Sequence, residues 1–177
     1  KKFINVGIVA IILSVPVKTF ANQFDYEILE KNAKNELNLI KIGKNSQAIK
    51  IIETKILKNS NDPYLYYLLG RAYKNLNQLG ISEDYFKKAI SIDANNPKIF
   101  LSYGLLKGKK GELEDSIKLF DKAIELNPNY TQAYSNRGVA KGAISDNLGA
   151  IEDFNTAIKI NPYLSDPYRN RGITNEL

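Results

Sequence analysis

The chain repeats itself at a spacing of 34 residues, and a sequence with that period is not free to fold as an ordinary globule. Tyr134, Asn136, Arg137 and Gly138 return as Tyr168, Asn170, Arg171 and Gly172. One period earlier stand Phe100, Tyr103 and Gly104, and one earlier again Tyr66, Leu69 and Gly70. The second half of each period keeps step as well, with Phe86, Phe120 and Phe154 followed by Ala89, Ala123 and Ala157. A unit of this length cannot bury its apolar face alone. It does so by stacking on its neighbours, so the period implies a solenoid.

Spacing within the unit is helical. Tyr134, Arg137, Gly138 and Lys141 fall at i, i+3, i+4 and i+7, one face of a helix. Gly138 is expected to admit a close neighbour, with Ala150 the small residue placed to receive it, and Phe154 and Ala157 to pack into the next unit. Asp62-Pro63 and Asn96-Pro97 mark helix starts, a capping side chain followed by Pro in the first turn. Asn127-Pro128 and Asn161-Pro162 mark ends, because Pro cannot continue the hydrogen-bond ladder. First helices are predicted near 63–76, 97–110 and 131–144, and second helices near 81–92, 114–126 and 148–160. Residues 25–62 read as one further pair, with stripes Leu29, Ala33, Leu37, Ile40 and Ala48, Ile52, Ile56. There Glu36 stands where Gly recurs and Lys55 where Ala recurs, the kind of departure expected of a terminal unit with one face in water.

An aromatic and then a large residue before Gly, followed in the second helix by a small residue, an aromatic, Ala and a closing Pro, resembles the tetratricopeptide repeat. The resemblance covers 63–96, 97–130 and 131–164 as full units and 165–177 as a partial one, with 22–62 as an N-terminal extension and degenerate capping pair. Unit one departs modestly, with Ser82 at the small position and Ala94 where Pro is usual. The resemblance implies an all-α, right-handed superhelical solenoid of stacked antiparallel helix pairs whose first helices line a concave groove. It also implies that a peptide or helix of another protein binds there, at the second, fifth, sixth and ninth positions of each unit. Those positions include Tyr64, Tyr67, Arg71, Lys98, Leu101, Gln132, Asn136, Arg169 and Asn170. One family subtype clamps a C-terminal carboxylate with Lys, Asn and Arg spread over three units. Asn136 matches its central Asn, but Leu101 and Leu105 replace its Lys and Asn and Asp166 follows, so that clamp is absent.

Composition removes most catalytic chemistry. Among 177 residues there is no Cys and no His, hence no thiolate nucleophile, no imidazole base, no disulfide and almost no route to a zinc site. The carboxylates Glu112, Glu114, Asp115, Glu152 and Asp153 read as charge at the starts of second helices, favourable to the helix dipole. The basic turn 107–111 (KGKKG) lacks phosphate-loop spacing and reads as a solvated helix end. No catalytic residue, metal or cofactor is expected, and no small-molecule substrate. The positive charge is mild and spread along the chain, unlike the concentrated basic face of a nucleic-acid binder.

Residues 1–21 have the three parts of a secretory signal: Lys1 and Lys2, an apolar run from Phe3 to Val17, and small residues Thr19 and Ala21 before a cleavage site. Lys18 closes the run short of the roughly 20 residues a spanning helix needs. Cleavage after Ala21 is expected, leaving a periplasmic or secreted bacterial protein that meets the membrane only through its signal. Removal takes away three lysines and no acid, lowering the net charge from +6 to +3. The reading frame is expected to begin before Lys1 and to continue past Leu177 with at least one more helix. Together these features lead us to expect a non-catalytic protein-interaction scaffold. The alternatives are the adaptor end of a longer envelope protein with an enzyme in its C-terminal part, and a self-associating structural protein.

Overall fold

The computed structural model describes residues 27–58 and 61–175, so the signal sequence and Ala21 lie outside the described residues. A short helix α1 (27–32) runs through a turn at Ala33 into α2 (Lys34–Lys41), which pairs with α3 (Asn45–Ile56). Three longer pairs follow: α4 (Pro63–Asn75) with α5 (Leu79–Ile92), α6 (Pro97–Lys109) with α7 (Leu113–Leu126), and α8 (Thr131–Ala143) with α9 (Asn147–Ile160). The last described element is α10 (Ser165–Asn175). Each second helix packs on its own first helix and on the next one, while α2, α4, α6, α8 and α10 touch in succession to form an inner layer. No strand occurs among the described residues.

The local chemistry explains the boundaries. Asp62 Oδ1 accepts from the amides of Tyr64 and Leu65, and Asn96 Oδ1 from that of Lys98, each filling an orphan donor at the start of an inner helix that opens with Pro. At the other end of the unit, Asp93, Asn127 and Asn161 turn the chain by accepting from the amide two residues on.

Each unit is closed by one aromatic ring set into a glycine. Phe86, Phe120 and Phe154 are buried, and a Cβ built on Gly70, Gly104 or Gly138 would lie 2.7, 2.5 or 2.7 Å from the Cε1 of the ring in its own unit. This corrects the pairing expected from sequence. Gly138 receives Phe154 of its own unit, whereas Ala150, one turn before Phe154 in α9, lies 3.8 Å from the Cβ position of Gly142. A ring fills the glycine notch more completely than a methyl group could, and each buried Phe contributes about 2–3 kcal/mol of apolar burial. Ser82 and Ser116 stand at the small position of units one and two, where their hydroxyls donate to the carbonyls of Gly70 and Gly104 at 2.6 and 2.8 Å.

In the capping pair the two departures from the repeat find each other. Glu36 is buried, and its Oε1 lies 2.9 Å from Lys55 Nζ, which also donates to the carbonyl of Asn32. Glu36 and Lys55 occupy the Gly and Ala positions of the period, so an ion pair replaces the ring-in-notch contact there.

Candidate functional site

The inner layer carries the residues expected to meet a partner, and the structure separates them into two groups. In unit one, Tyr64 and Tyr67 are buried, only 1% and 5% exposed. Their rings lie 5.3 Å apart, Tyr67 packs against Phe86, and the Arg71 guanidinium stacks 5.5 Å above the Tyr67 ring. These two tyrosines form the floor of the inner surface and belong to the core. Glu30 of α1 extends this closure by pairing with Lys98 of α6. Burial, together with the neighbouring Glu30 carboxylate, raises the Tyr64 phenol, and burial pushes Tyr130, at the start of α8, up to about 12.

From unit two onward the surface opens. Lys98, Gln132 and Arg169 are exposed, and Leu101, Asn136 and Asn170 are half-buried. Asn136 Nδ2 donates to the Gln132 carbonyl at 2.7 Å, leaving its amide oxygen for other use, and Arg169 pairs with Asp166 on its own helix. Val139, one turn beyond Asn136, is 48% exposed. The structure therefore brings Leu101, Gln132, Asn136, Arg169 and Asn170 to successive inner helices.

Two ion networks lock the layers together, and the sequence reading assigned their members differently. Glu83 of α5 accepts from Tyr103, Lys87, Lys107 and Lys110 at 2.6–3.0 Å, and Lys107 and Lys110 both bind Glu112 as well. Burial works to raise the Glu83 carboxyl, but the bonds from Lys110, Lys87, Lys107 and Tyr103 prevail and hold it well below the carboxylate range. The basic turn is thus a solvated helix end only in part: Lys109, Lys110 and Gly111 are exposed, but Lys107 is buried and Lys110 is engaged with two carboxylates. Asp153, likewise, does not sit at a helix start but inside α9, buried, taking two bonds from Arg137 and a third contact from Lys141. Asp153 and then Asp121 keep Arg137 firmly charged.

A third group of cations escaped the sequence reading. Lys41, Lys74 and Lys109 converge where α2, α4 and α6 end, with Arg71 one turn before Lys74. Burial, with Arg71 and Lys109 beside it, pushes the Lys74 ammonium down to about 8. The available signal was positional: 34 and 68 residues after Lys74 the period has Gly108 and Gly142.

Among the described residues no cluster of acidic, His or Cys side chains could hold a metal ion, and no helix is long and apolar enough to cross a membrane. Helix pairs in two layers, three of them locked by a ring in a glycine, define an all-α helical-repeat solenoid of the kind that serves protein interaction. Two stretches of the chain match tetratricopeptide-repeat families. A family model described as a tetratricopeptide repeat matches residues 63–96, and one described as a TPR repeat matches 109–144. The second match straddles α7 and the first helix of the next unit. No curated protein matches the sequence. Solved structures share the fold. MamA from Desulfovibrio magneticus RS-1 is 19% identical with a TM-score of 0.72, covering 84% of each chain. YrrB, described as a TPR protein with an unusual peptide-binding site, is 21% identical with a TM-score of 0.66, covering 90% of this chain and 82% of its own. The first TPR of Spaghetti (RPAP3), bound to the HSP90 peptide SRMEEVD, is 19% identical with a TM-score of 0.63, covering 64% of this chain and 90% of its own.

Proposed function

We propose that the protein is a non-catalytic scaffold that is exported from the cytoplasm and holds a segment of a partner protein on its inner helix layer. The observation that carries this reading is the open run of inner-helix side chains from Leu101, which packs one side against the core and leaves the other open, through Gln132 and Asn136 to Asn170. Two structural neighbours described as peptide-binding support it. A partner segment would lie across α6, α8 and α10, contacting Leu101 and Val139 with its apolar side chains and Gln132, Asn136 and Asn170 with its backbone. Unit one contributes only its edge residue Arg71, since Tyr64 and Tyr67 are already packed, and Lys98 stands beside it at the start of unit two.

Affinity capture from envelope extract, with the wild-type chain beside a Leu101→Ala, Asn136→Ala variant, tests the surface. A partner retained by the wild type and lost by the variant is the expected result; the same partners on both would remove the inner layer from consideration. Export is tested separately by expressing the chain with residues 1–21 in a bacterium and sequencing the mature N-terminus. Asn22 is expected first, in the periplasmic fraction, and an unprocessed cytoplasmic chain would end that part of the proposal.

A second reading draws on α10. A Cβ on Gly172 meets nothing within 4 Å, unlike the three filled notches, and Tyr168 and Ile173 are 43% and 56% exposed. This face supports self-association. Light scattering over a concentration series would show a rising mass, abolished by Ile173→Glu; a constant monomer mass disposes of it.

A further inference from the structure

A cleft of ≈ 560 Å³ opens between the α2–α3 turn, the end of α4 and the end of α6. Lys41, Lys74, Lys109, Asn45, Asn75 and Leu105 line it, and no carboxylate does. Asn75 Nδ2 donates to Asn45 Oδ1 at 3.1 Å, which fixes one wall, and Lys109 reaches over from α6 to within 3.4 Å of the Lys74 carbonyl. No ion pair among the described residues includes Lys41, Arg71, Lys74 or Lys109.

The molecule pairs most of its other inter-helix cations with acids; Arg171, on Asn155, is an exception. Lys55, Lys107, Lys110, Arg137 and Lys141 each have a carboxylate partner on another helix or turn. Nor does the repeat demand charge in the cleft, because Gly108 and Gly142 occupy the place of Lys74 in the next units, and Leu105 and Val139 the place of Arg71. A lysine at a helix C-terminus favours the dipole. That accounts for one cation at each helix end, but not for three ends converging against mutual repulsion on a cleft with no acid.

We propose that this cleft binds an acidic segment of the partner protein, with carboxylates on Lys74 and Lys109 and an adjoining apolar side chain against Leu105. The inference rests on the scaffold reading and names the chemistry of the partner at the edge of the same layer. Burial first and then repulsion from Arg71 and Lys109 depress Lys74, and a carboxylate arriving between these ammoniums offsets the repulsion. Peptide fits better than a bare phosphate, which would leave the aliphatic wall uncovered.

The test is fluorescence anisotropy of the wild-type chain with a labelled peptide of alternating glutamate and leucine, beside its glutamine counterpart. Glutamate is expected to bind about tenfold more tightly, the scale of two ion pairs near the surface. Lys74→Gln with Lys109→Gln should erase that preference while circular dichroism shows the helices intact; Lys74→Arg should retain it. Equal binding of the two peptides, or a preference that survives the double glutamine variant, overturns the proposal. So does displacement of the peptide by inorganic phosphate at concentrations where chloride is inert, which would mark a plain anion site. The Leu101→Ala, Asn136→Ala variant separates the two readings. If it loses the captured partner while the lysine variant keeps it, the scaffold reading stands and the cleft inference fails; if neither change affects capture, the scaffold reading fails while the peptide preference still decides the cleft.

Discussion

A methyl group added to Gly104 would land 2.5 Å from Cε1 of Phe120, a distance no carbon pair tolerates, and the ring has nowhere to go because it is itself buried between two helices. Gly104→Ala is therefore expected to destabilise the fold by about 1–3 kcal/mol, the usual cost of overpacking. The same change at Gly172 meets open space and should stabilise α10 by about 0.5 kcal/mol through helix propensity. Urea denaturation of the two variants checks the contrast, and equal effects would show that the notch is not what the glycine serves. The recurrent glycine was legible in the sequence because a period exposes it. Its partner was not, since Phe154 and Ala150 lie one turn apart on the same helix and only the helix rotation decides between them. Glu83 was invisible for a different reason: it has no counterpart in the period, and its four donors come from two helices and a turn. Its depressed carboxyl has a clear sign. Above the unfolded value near 4.5 the folded chain and the unfolded chain are both ionised and the full stabilisation is present; below it the unfolded chain takes up a proton first, and stability falls as pH drops toward the folded value. Glu83→Gln should cost about 2–3 kcal/mol at neutral pH, leave Lys107 and Lys110 to share Glu112 alone, and flatten the decline in urea midpoint below pH 4.5.

Helices in this chain are specified twice, by their caps and by what they bury, and the capping pair shows what happens when the second signal lapses. The boundaries of α4 and α6 followed from Asp62-Pro63 and Asn96-Pro97, because a cap is a contact between near neighbours and sequence displays it directly. The pairing of α2 with α3 depended instead on Glu36 and Lys55, which a sequence reading could only mark as violations of the repeat. They are one substitution in two places: a buried acid needs a cation, and the Ala position opposite supplies it 2.9 Å away. Removing Lys55 alone leaves a buried carboxylate whose Oε2 already lacks a partner, so Lys55→Ala should destabilise more than Glu36→Ala. The double Ala variant should be less damaged than the sum, with a coupling energy of about 1–2 kcal/mol in a double-mutant cycle. Additive effects would mean that the ion pair does not join the two helices.

At the scale of the whole molecule, a 34-residue period gives the architecture away, whereas contacts that cross units irregularly stay hidden. Glu30 reaches Lys98 across 68 positions, and Lys74 gains its neighbours from three helix ends, so neither the closed first unit nor the cationic cleft could be read from spacing. The cleft has a consequence for stability across pH. Lys74 faces Arg71 on its own helix, Lys109 from α6 and Lys41 from α2, all of one sign, and its ammonium is held at about 8 against 10.5 for a free lysine. Between those values the unfolded chain binds the extra proton, so stability rises with pH from about 8. Near pH 10 the sign reverses. The phenols of Tyr103 and Tyr130, pushed up to about 12 largely by burial, stay protonated in the fold while the unfolded chain sheds its protons, and stability then falls. The urea midpoint should therefore climb gently from pH 8 to a maximum near 10 and decline beyond it. Lys74→Gln should remove the climb and leave the decline, because the tyrosines lie elsewhere in the inner layer. The glutamate–leucine peptide should do the same to the climb in the wild type: bound carboxylates restore Lys74 toward its free value, so the folded chain no longer releases its proton early. A climb untouched by either treatment would locate the titrating group outside the cleft.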